Sequence, residues 1–285
     1  MIRTISLVIA SLVIAGAAHA VSIDGRLKTI ADSKAINVAY RTDAAPFSSE
    51  DGNKQAVGYS IDLCKRIISA IERRLKVPGL KVNWVPVTVQ TRFFAIIEGR
   101  ADMECGSSTV TLARLDAVDF SSFIFIETTG LLTETGSGLH SLSSMSGKTI
   151  AVIANTSNER AIRDQIKRRQ INATVERFKS SDEAVAELEA GKVDAFASDK
   201  LLLLDAATRA KNPKKLVLLP DELSFEPYGI TLPRNEAALR LAVNTGLSQL
   251  YRSGEIGEIY AHWFGSTGKP SRIIRAVYIF GAIPD

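Results

Sequence analysis

Apolar and polar positions follow two alternating rhythms along this chain, one with the period of strands and one with the period of helices. Lys34–Tyr40 (KAINVAY) reads as a short apolar strand. After Val57-Gly58-Tyr59-Ser60, the residues Ile61, Leu63, Cys64, Ile67, Ile68, Ile71 and Leu75 recur every three or four positions, the spacing of one buried helix face. Pro78-Gly79 breaks that helix, and Leu80–Val87 alternates as a strand. Gln90-Thr91-Arg92 opens a second helix that runs to Gly99; a short buried strand, Ala101–Cys105, and an extended run, Val118–Ile126, follow. Strand, helix, strand, helix, strand is the rhythm of a mostly parallel sheet with helices on its faces.

The same order then returns. Lys148–Ala154, Ala173–Lys179, Val193–Ala197 and Leu216–Leu219 read as strands, with helices after Thr156 and Ser180 and over Leu201–Ala210. Thr156 with Glu159, and Ser180 with Glu183, have the spacing of a capping box, in which hydroxyl and carboxylate satisfy orphan N–H groups reciprocally. Gly99-Arg-Ala-Asp102 is echoed by Gly191-Lys-Val-Asp194, and eight positions past each glycine stands a polar residue, Ser107 or Asp199. Extended runs at Val118–Leu132 and Phe225–Leu232 flank the middle of the chain. The expected architecture is α/β with two lobes, each a mostly parallel sheet flanked by helices. Residues 21–127 and 229–285 form one lobe and 128–228 the other, joined by a two-segment hinge. Late in the chain, Leu239, Val243, Leu247, Leu250 and Tyr251 mark a long helix ended by Gly254, and Glu255–Phe264 a shorter one. The tail beyond Phe264 is assigned only to packing on the first lobe.

Composition narrows the function. A hydrophobic share of 46% and a charged share of 23% describe a chain with a real core. A formal charge of +4 over 285 residues, with no basic stripe interleaved with aromatics, argues against nucleic acid as a partner. Lys167-Arg168-Arg169, on a helix with Arg160, Arg163 and Asp164, reads as a solvated face. Residues 1–20 have one early positive charge, an apolar run from Ile5 to Ala15, and Ala18-His19-Ala20 at the end, the pattern of a cleavable secretory signal peptide. That run is shorter than the ~20 residues a bilayer span needs, so a periplasmic protein is expected. For Cys64 and Cys105 two readings stand: a disulfide, if that helix packs on that strand, or two buried thiols. The remaining histidines, His140 and His262, lack a partner at ligand spacing, so neither a metal nor another cofactor is expected. No nucleophile stands beside a base in any recognisable motif.

In open α/β sheets, ligands bind beyond the carboxyl ends of the strands. Arg41 and Asp43 lie there, as do Ser107, Ser108 and Thr109, then Asn155, Thr156 and Ser157 at a helix start, and Asp199; Arg92 opens the helix leading to Gly99. Guanidinium, hydroxyls and a helix N-terminus suit a carboxylate, and Asp199 suits an ammonium group, so the set fits an amino acid. Arg41 is then a spare cation for a second carboxylate. Against this stand plainer roles: a surface ion pair for each arginine, and an N-cap for Asp199. Phe47, Tyr59 and Ser181 are further candidates for the cleft lining.

The motifs V-x-x-R-x-x-x-x-PFS at 38–48, VGYSIDLC at 57–64, Q-T-R at 90–92, G-x-x-D-x-ECGS at 99–107, DFS at 119–121, EAG-x-x-DAF at 189–196 with Asp199, and YG-x-x-L at 228–232 resemble the polar amino-acid family of extracellular solute-binding proteins. The glutamate/aspartate-binding branch is the most similar. The resemblance implies a monomer that captures an amino acid between its lobes and delivers it to a membrane ABC permease. It further implies that Arg92, Ser107 and Thr109, with Thr156, hold the α-carboxylate, Asp199 the α-amino group, and Arg41 a side-chain carboxylate. The chain departs from that branch at Ser108-Thr109-Val110-Thr111, where the branch has Thr-Thr-Asn-Asn, and at Ser181, where the branch has a histidine. Two alternatives follow: a binding protein for a neutral polar amino acid, and an exported enzyme resembling cyclohexadienyl dehydratases, with Glu50 or Glu127 as general acid.

Overall fold

Two five-stranded sheets, with a small three-stranded one formed by Asp43–Ala44, Ser48–Glu50 and Ala56–Val57, organise the computed structural model, which describes residues 23–265 and 269–284. The segment read as a signal peptide, residues 1–20, lies outside the described residues. The first sheet runs in the order Lys81–Val87, Ala35–Arg41, Met103–Glu104, Glu226–Leu232, Asp119–Glu127. Its first three strands are parallel, and Glu226–Leu232 is antiparallel to both neighbours. The second sheet has the order Thr174–Phe178, Thr149–Ile153, Ala195–Asp199, Thr129–Glu134, Leu216–Leu218, with the same change of direction at the same place. This is the two-lobed α/β arrangement expected from the hydrophobic pattern.

The echo between the halves is scaffold, and the hydrogen bonds show why. Asp102 Oδ2 accepts from the backbone N–H of Asn37, and Asp194 Oδ2 accepts from that of Thr149. Each aspartate thus anchors the start of the neighbouring parallel strand. Each preceding glycine, Gly99 and Gly191, has φ near +70° (72° and 68°), where L side chains are strained.

The chain crosses between lobes twice. Asp119–Glu127 ends in the first sheet and Thr129–Glu134 begins in the second; the return comes after Leu223, before Glu226–Leu232 re-enters the first sheet. Glu127 and Glu226 face each other across the antiparallel pair where the two crossings meet. Asp119–Glu127 is the outer strand of its sheet, and side chains take up its backbone groups. Asn244 Oδ1 accepts from Ser122 N–H at 2.8 Å, while the Tyr251 and Tyr59 hydroxyls donate to the carbonyls of Phe123 and Ile124, each at 2.9 Å.

The apolar stripe read between Ile61 and Leu75 is buried in full on the helix Tyr59–Leu75. That helix lies close against Ala237–Ser253: a Cβ on Gly246 would come 3.0 Å from Ile67 Cα, tight enough that the helices would have to give slightly to admit it. Cys64 and Cys105 form a disulfide with a Cα–Cα distance of 6.4 Å, joining that helix to the end of Met103–Glu104. Among the described residues, three α-helices were not anticipated, one of them the single turn Leu112–Leu115. Gly25–Ser33 offers only Leu27 and Ile30 to the core, and Arg272–Gly281 buries Ile274 and Tyr278 on the first lobe. Among the described residues, no helix is long and apolar enough to cross a membrane.

Candidate functional site

The carboxyl ends of the two sheets face each other, and between them Arg41, Arg92, Ser107, Thr109, Thr156, Ser157, Ser181 and Asp199 line one enclosed pocket. Val89, Ile153 and Leu202 supply its apolar wall. Its volume, about 20 Å³, has room for about one water molecule. Two hydrogen bonds span the lobes beside it: Ser157 Oγ to Thr109 Oγ1 at 3.1 Å and Gln90 Nε2 to the Lys179 carbonyl at 3.0 Å. Admission of anything larger therefore requires the lobes or the lining side chains to part.

On the first lobe the pocket is cationic. Arg41 is the last residue of its strand, 3% exposed, and its Nε donates to Asp43 Oδ1 at 2.6 Å. Arg92, 4% exposed, is the first residue of the helix Arg92–Ile97 and packs over the Phe93 ring at 4.8 Å. Arg114 lies 5.0 Å from the same ring, and its Nη1 donates to the Thr109 carbonyl at 2.6 Å. Burial, and then the charges of Arg114 and Arg41, lower the Arg92 pKa to about 9. The countercharge nearby is Glu104, fully buried, whose Oε2 accepts from Thr231 Oγ1 at 2.6 Å. Arg92 Nε and the hydroxyls of Ser107 and Ser108 are buried with no hydrogen-bond partner. Ser108 sits behind the pocket wall and does not line it.

On the second lobe the pocket holds one carboxylate. Asp199 occupies the N-cap position of Lys200–Thr208, yet its side chain makes no capping bond. It instead turns to accept from Asn158 Nδ2 at 3.0 Å. Burial, and then the charge of Glu226, push its pKa up to about 7. Asn158 also donates to Thr129 Oγ1 at 2.8 Å, which ties Asp199 to the hinge. The Thr156 hydroxyl is already occupied: it accepts from Glu159 N–H and donates to the Ile153 carbonyl. Of the two anticipated capping boxes only the hydroxyl half forms, Thr156 and Ser180 accepting from the N–H groups of Glu159 and Glu183. The carboxylates of Glu159 and Glu183 accept from Asn155 and Lys179, one residue before each cap.

Two of the anticipated lining residues are elsewhere. Phe47 and Tyr59 are fully buried in the first-lobe core, packed with Phe125, Tyr228 and Phe264. The first turn of the Tyr59–Leu75 helix faces the core, and the Tyr59 hydroxyl is held by Ile124 and Tyr278. The candidate general acids also lie outside the pocket. Glu50 accepts from Tyr40 Oη at 2.7 Å, and Glu127 lies at the hinge, its pKa pushed up to about 8 by burial and by Asp199. Sequence reasoning missed Arg114, Glu104 and Asn158. For Arg114 a signal existed, since Thr111 Oγ1 caps its N–H and so fixes where its short helix begins. Among the described residues no group of His, Cys, Asp and Glu is arranged to hold a metal ion.

Residues 36–266 match the sequence profile of the bacterial extracellular solute-binding proteins, family 3. The L-glutamate/L-aspartate-binding protein of Pseudomonas aeruginosa is 33% identical over 243 residues, 84% of this chain and 80% of that one. The glutamate/aspartate import solute-binding protein of Salmonella typhimurium is 30% identical over 263 residues, 91% and 87% of the two chains. Among solved structures, an ancestral amino-acid-binding protein described as a precursor of cyclohexadienyl dehydratase superposes with a TM-score of 0.71 at 25% identity, covering 84% of this chain and 98% of its own. The two sheets, the twice-crossed hinge and this match over most of the chain agree: the protein belongs to family 3 of the bacterial extracellular solute-binding proteins.

Proposed function

We propose that this protein captures an acidic amino acid, glutamate or aspartate, between its lobes in the periplasm and delivers it to an ABC permease. One observation carries the reading. Arg41 and Arg92 face a single carboxylate, Asp199, across one enclosed pocket, with Arg114 beside them, and the donors Arg92 Nε and Ser107 Oγ are buried and unpartnered. An unpaired buried donor costs about 1–3 kcal/mol, so a ligand that supplies acceptors here recovers a large free energy. A dicarboxylate with one ammonium group complements that charge pattern. One carboxylate meets Arg92, Ser107 and Thr109, with Arg114 alongside; the ammonium meets Asp199; and the second carboxylate meets Arg41. The ligand touches both lobes only when they are together, so binding shifts the population toward closure. The names of the relatives, which are glutamate/aspartate-binding proteins, agree with this reading.

Calorimetry with glutamate, aspartate, glutamine and arginine tests it. The two dicarboxylates should bind at least about tenfold more tightly than glutamine, the difference of one charge-assisted contact. Equal affinities for glutamate and glutamine would remove the dicarboxylate assignment. An enzymatic reading has less support, because among the described residues Asp199 is the one carboxylate lining the enclosed pocket, and the proposed ammonium contact uses it.

A further inference from the structure

Outside the enclosed pocket lies a second, far larger chamber of about 470 Å³. The two share Thr156 and Ser157 in their walls, and the Ser157–Thr109 hydrogen bond stands between them. Both lobes contribute to the outer chamber. Arg114 comes from the first; Arg160, Arg163 and Arg177 come from the second, with Glu159 and Asp164. Four guanidiniums against two carboxylates leave a net charge of +2. Glu159 counts as a full negative charge: burial alone would raise its pKa, but hydrogen bonds from Arg177, Arg163 and the Asn155 N–H outweigh this and lower it. Its Oε1 accepts from Arg163 Nε at 2.9 Å and Arg177 Nε at 2.6 Å. The Arg160 side chain, by contrast, makes no ion pair or hydrogen bond among the described residues and is exposed at the chamber wall. The helix that carries it, Ser157–Arg169, presents its N-terminus here, and its free N–H groups add positive potential.

We infer that this outer chamber is a staging site for small carboxylate anions, which holds a dicarboxylate amino acid at the mouth before the lobes close over it. The inference rests on the functional reading above and extends it from what is held to how it arrives. Charge concentrated between low-dielectric walls raises the local concentration of an oppositely charged ligand and its association rate. The basic residues of Ser157–Arg169, which look from sequence like a solvated face, then split into two groups. Arg160 and Arg163 line the chamber; Lys167 and Arg169 do not. A ligand with net charge −1 gains from this field, whereas a zwitterion of net charge zero does not.

Stopped-flow association kinetics of the full chain, with glutamate and glutamine as probes, test this in Arg160→Glu and Arg160→Gln variants. At an ionic strength of about 20 mM, where the Debye length is about 20 Å, Arg160→Glu should slow glutamate association about fivefold and Arg160→Gln about twofold. Both differences should shrink toward parity at about 0.5 M salt. Dissociation rates, and association of glutamine where it binds, should stay unchanged. Unaltered glutamate association in Arg160→Glu at low salt would overturn the inference. So would equal slowing for glutamate and glutamine, which would mark a defect in lobe closure. Failure of the functional reading looks different: the parent protein then shows no preference for glutamate or aspartate in calorimetry, and the staging inference falls with it.

Discussion

The strand Met103–Glu104 and the strand Ala195–Asp199 hold the same place in their sheets, each with a parallel neighbour on one side and an antiparallel one on the other. Each follows a Gly-x-x-Asp turn whose aspartate anchors the adjacent strand. Beyond the strand the two halves part. In the first, the acid at the strand end, Glu104, is drawn into the sheet by Thr231, and a run of hydroxyls, Ser107 to Thr109, follows it beside the arginines. In the second, the acid itself reaches the cleft: Asp199 starts a helix but leaves its own cap unmade. One scaffold thus presents opposite charge from its two copies, and the polarity of the cleft follows from what each strand end does with its carboxylate.

The sharpest way to break this comparison is to remove the cationic side. Arg92→Ala should weaken every amino acid at least about a hundredfold, because truncating one member of a buried charged contact costs about 2–5 kcal/mol; calorimetry measures it. Asp199→Asn should cost amino acids nearly as much and yet spare glutarate, which has both carboxylates and no ammonium. Equal losses for glutarate and glutamate would show that Asp199 shapes the pocket without reading the amine. Arg41→Gln should be selective, lowering glutamate affinity about tenfold while leaving glutamine within about twofold.

A pH series sharpens the same contrast. The Asp199 pKa in the folded protein is raised from its ordinary value to about 7. Between about pH 4 and 7 the folded state therefore holds a proton that the unfolded chain has lost, and this contribution to stability declines as pH rises through that window. An ammonium ligand binds the ionised form. Its affinity should fall up to about tenfold per unit as pH drops below 7 and level off above it, with Asp199→Asn flat over the same range. The smallest effect on binding should come from Cys64→Ser with Cys105→Ser, since the disulfide lies behind the pocket. Its closed loop spans 41 residues, so loss should cost about 4 kcal/mol of stability, or about 10 °C in melting temperature by calorimetry, with affinity nearly intact.

What was legible in the sequence was whatever repeats with a period or sits at a strand end. The Ile61–Leu75 stripe, the Gly-x-x-Asp echo and the convergence of Arg41, Arg92, Thr109 and Asp199 all have that character. The misses have physical causes. Phe47 and Tyr59 are candidates for the cleft lining by sequence, but large apolar rings more often pack the core, and both are fully buried there. Arg272–Gly281 escaped notice because Ile273, Ile279 and Phe280 are exposed while Ile274 is buried, so no polar face marks its period. Glu104 was invisible as a functional group because its charge acts through burial, which no spacing reveals. Asn158 reaches Asp199 from another helix, a pairing that exists only once the sheet is closed.

The outer strands bear on how the protein behaves in company. The two five-stranded sheets have four outer strands between them, each a template on which another chain can pair and begin to polymerise. Here every edge is spoiled by a different means. Lys81–Val87 carries Pro86, which cannot donate to a new ladder. Asp119–Glu127 has its backbone groups taken by Asn244, Tyr251 and Tyr59. Thr174–Phe178 exposes Glu176 and Arg177, and Leu216–Leu218 is only three residues long. Edges guarded in this way disfavour pairing of one copy's sheets with those of its neighbours.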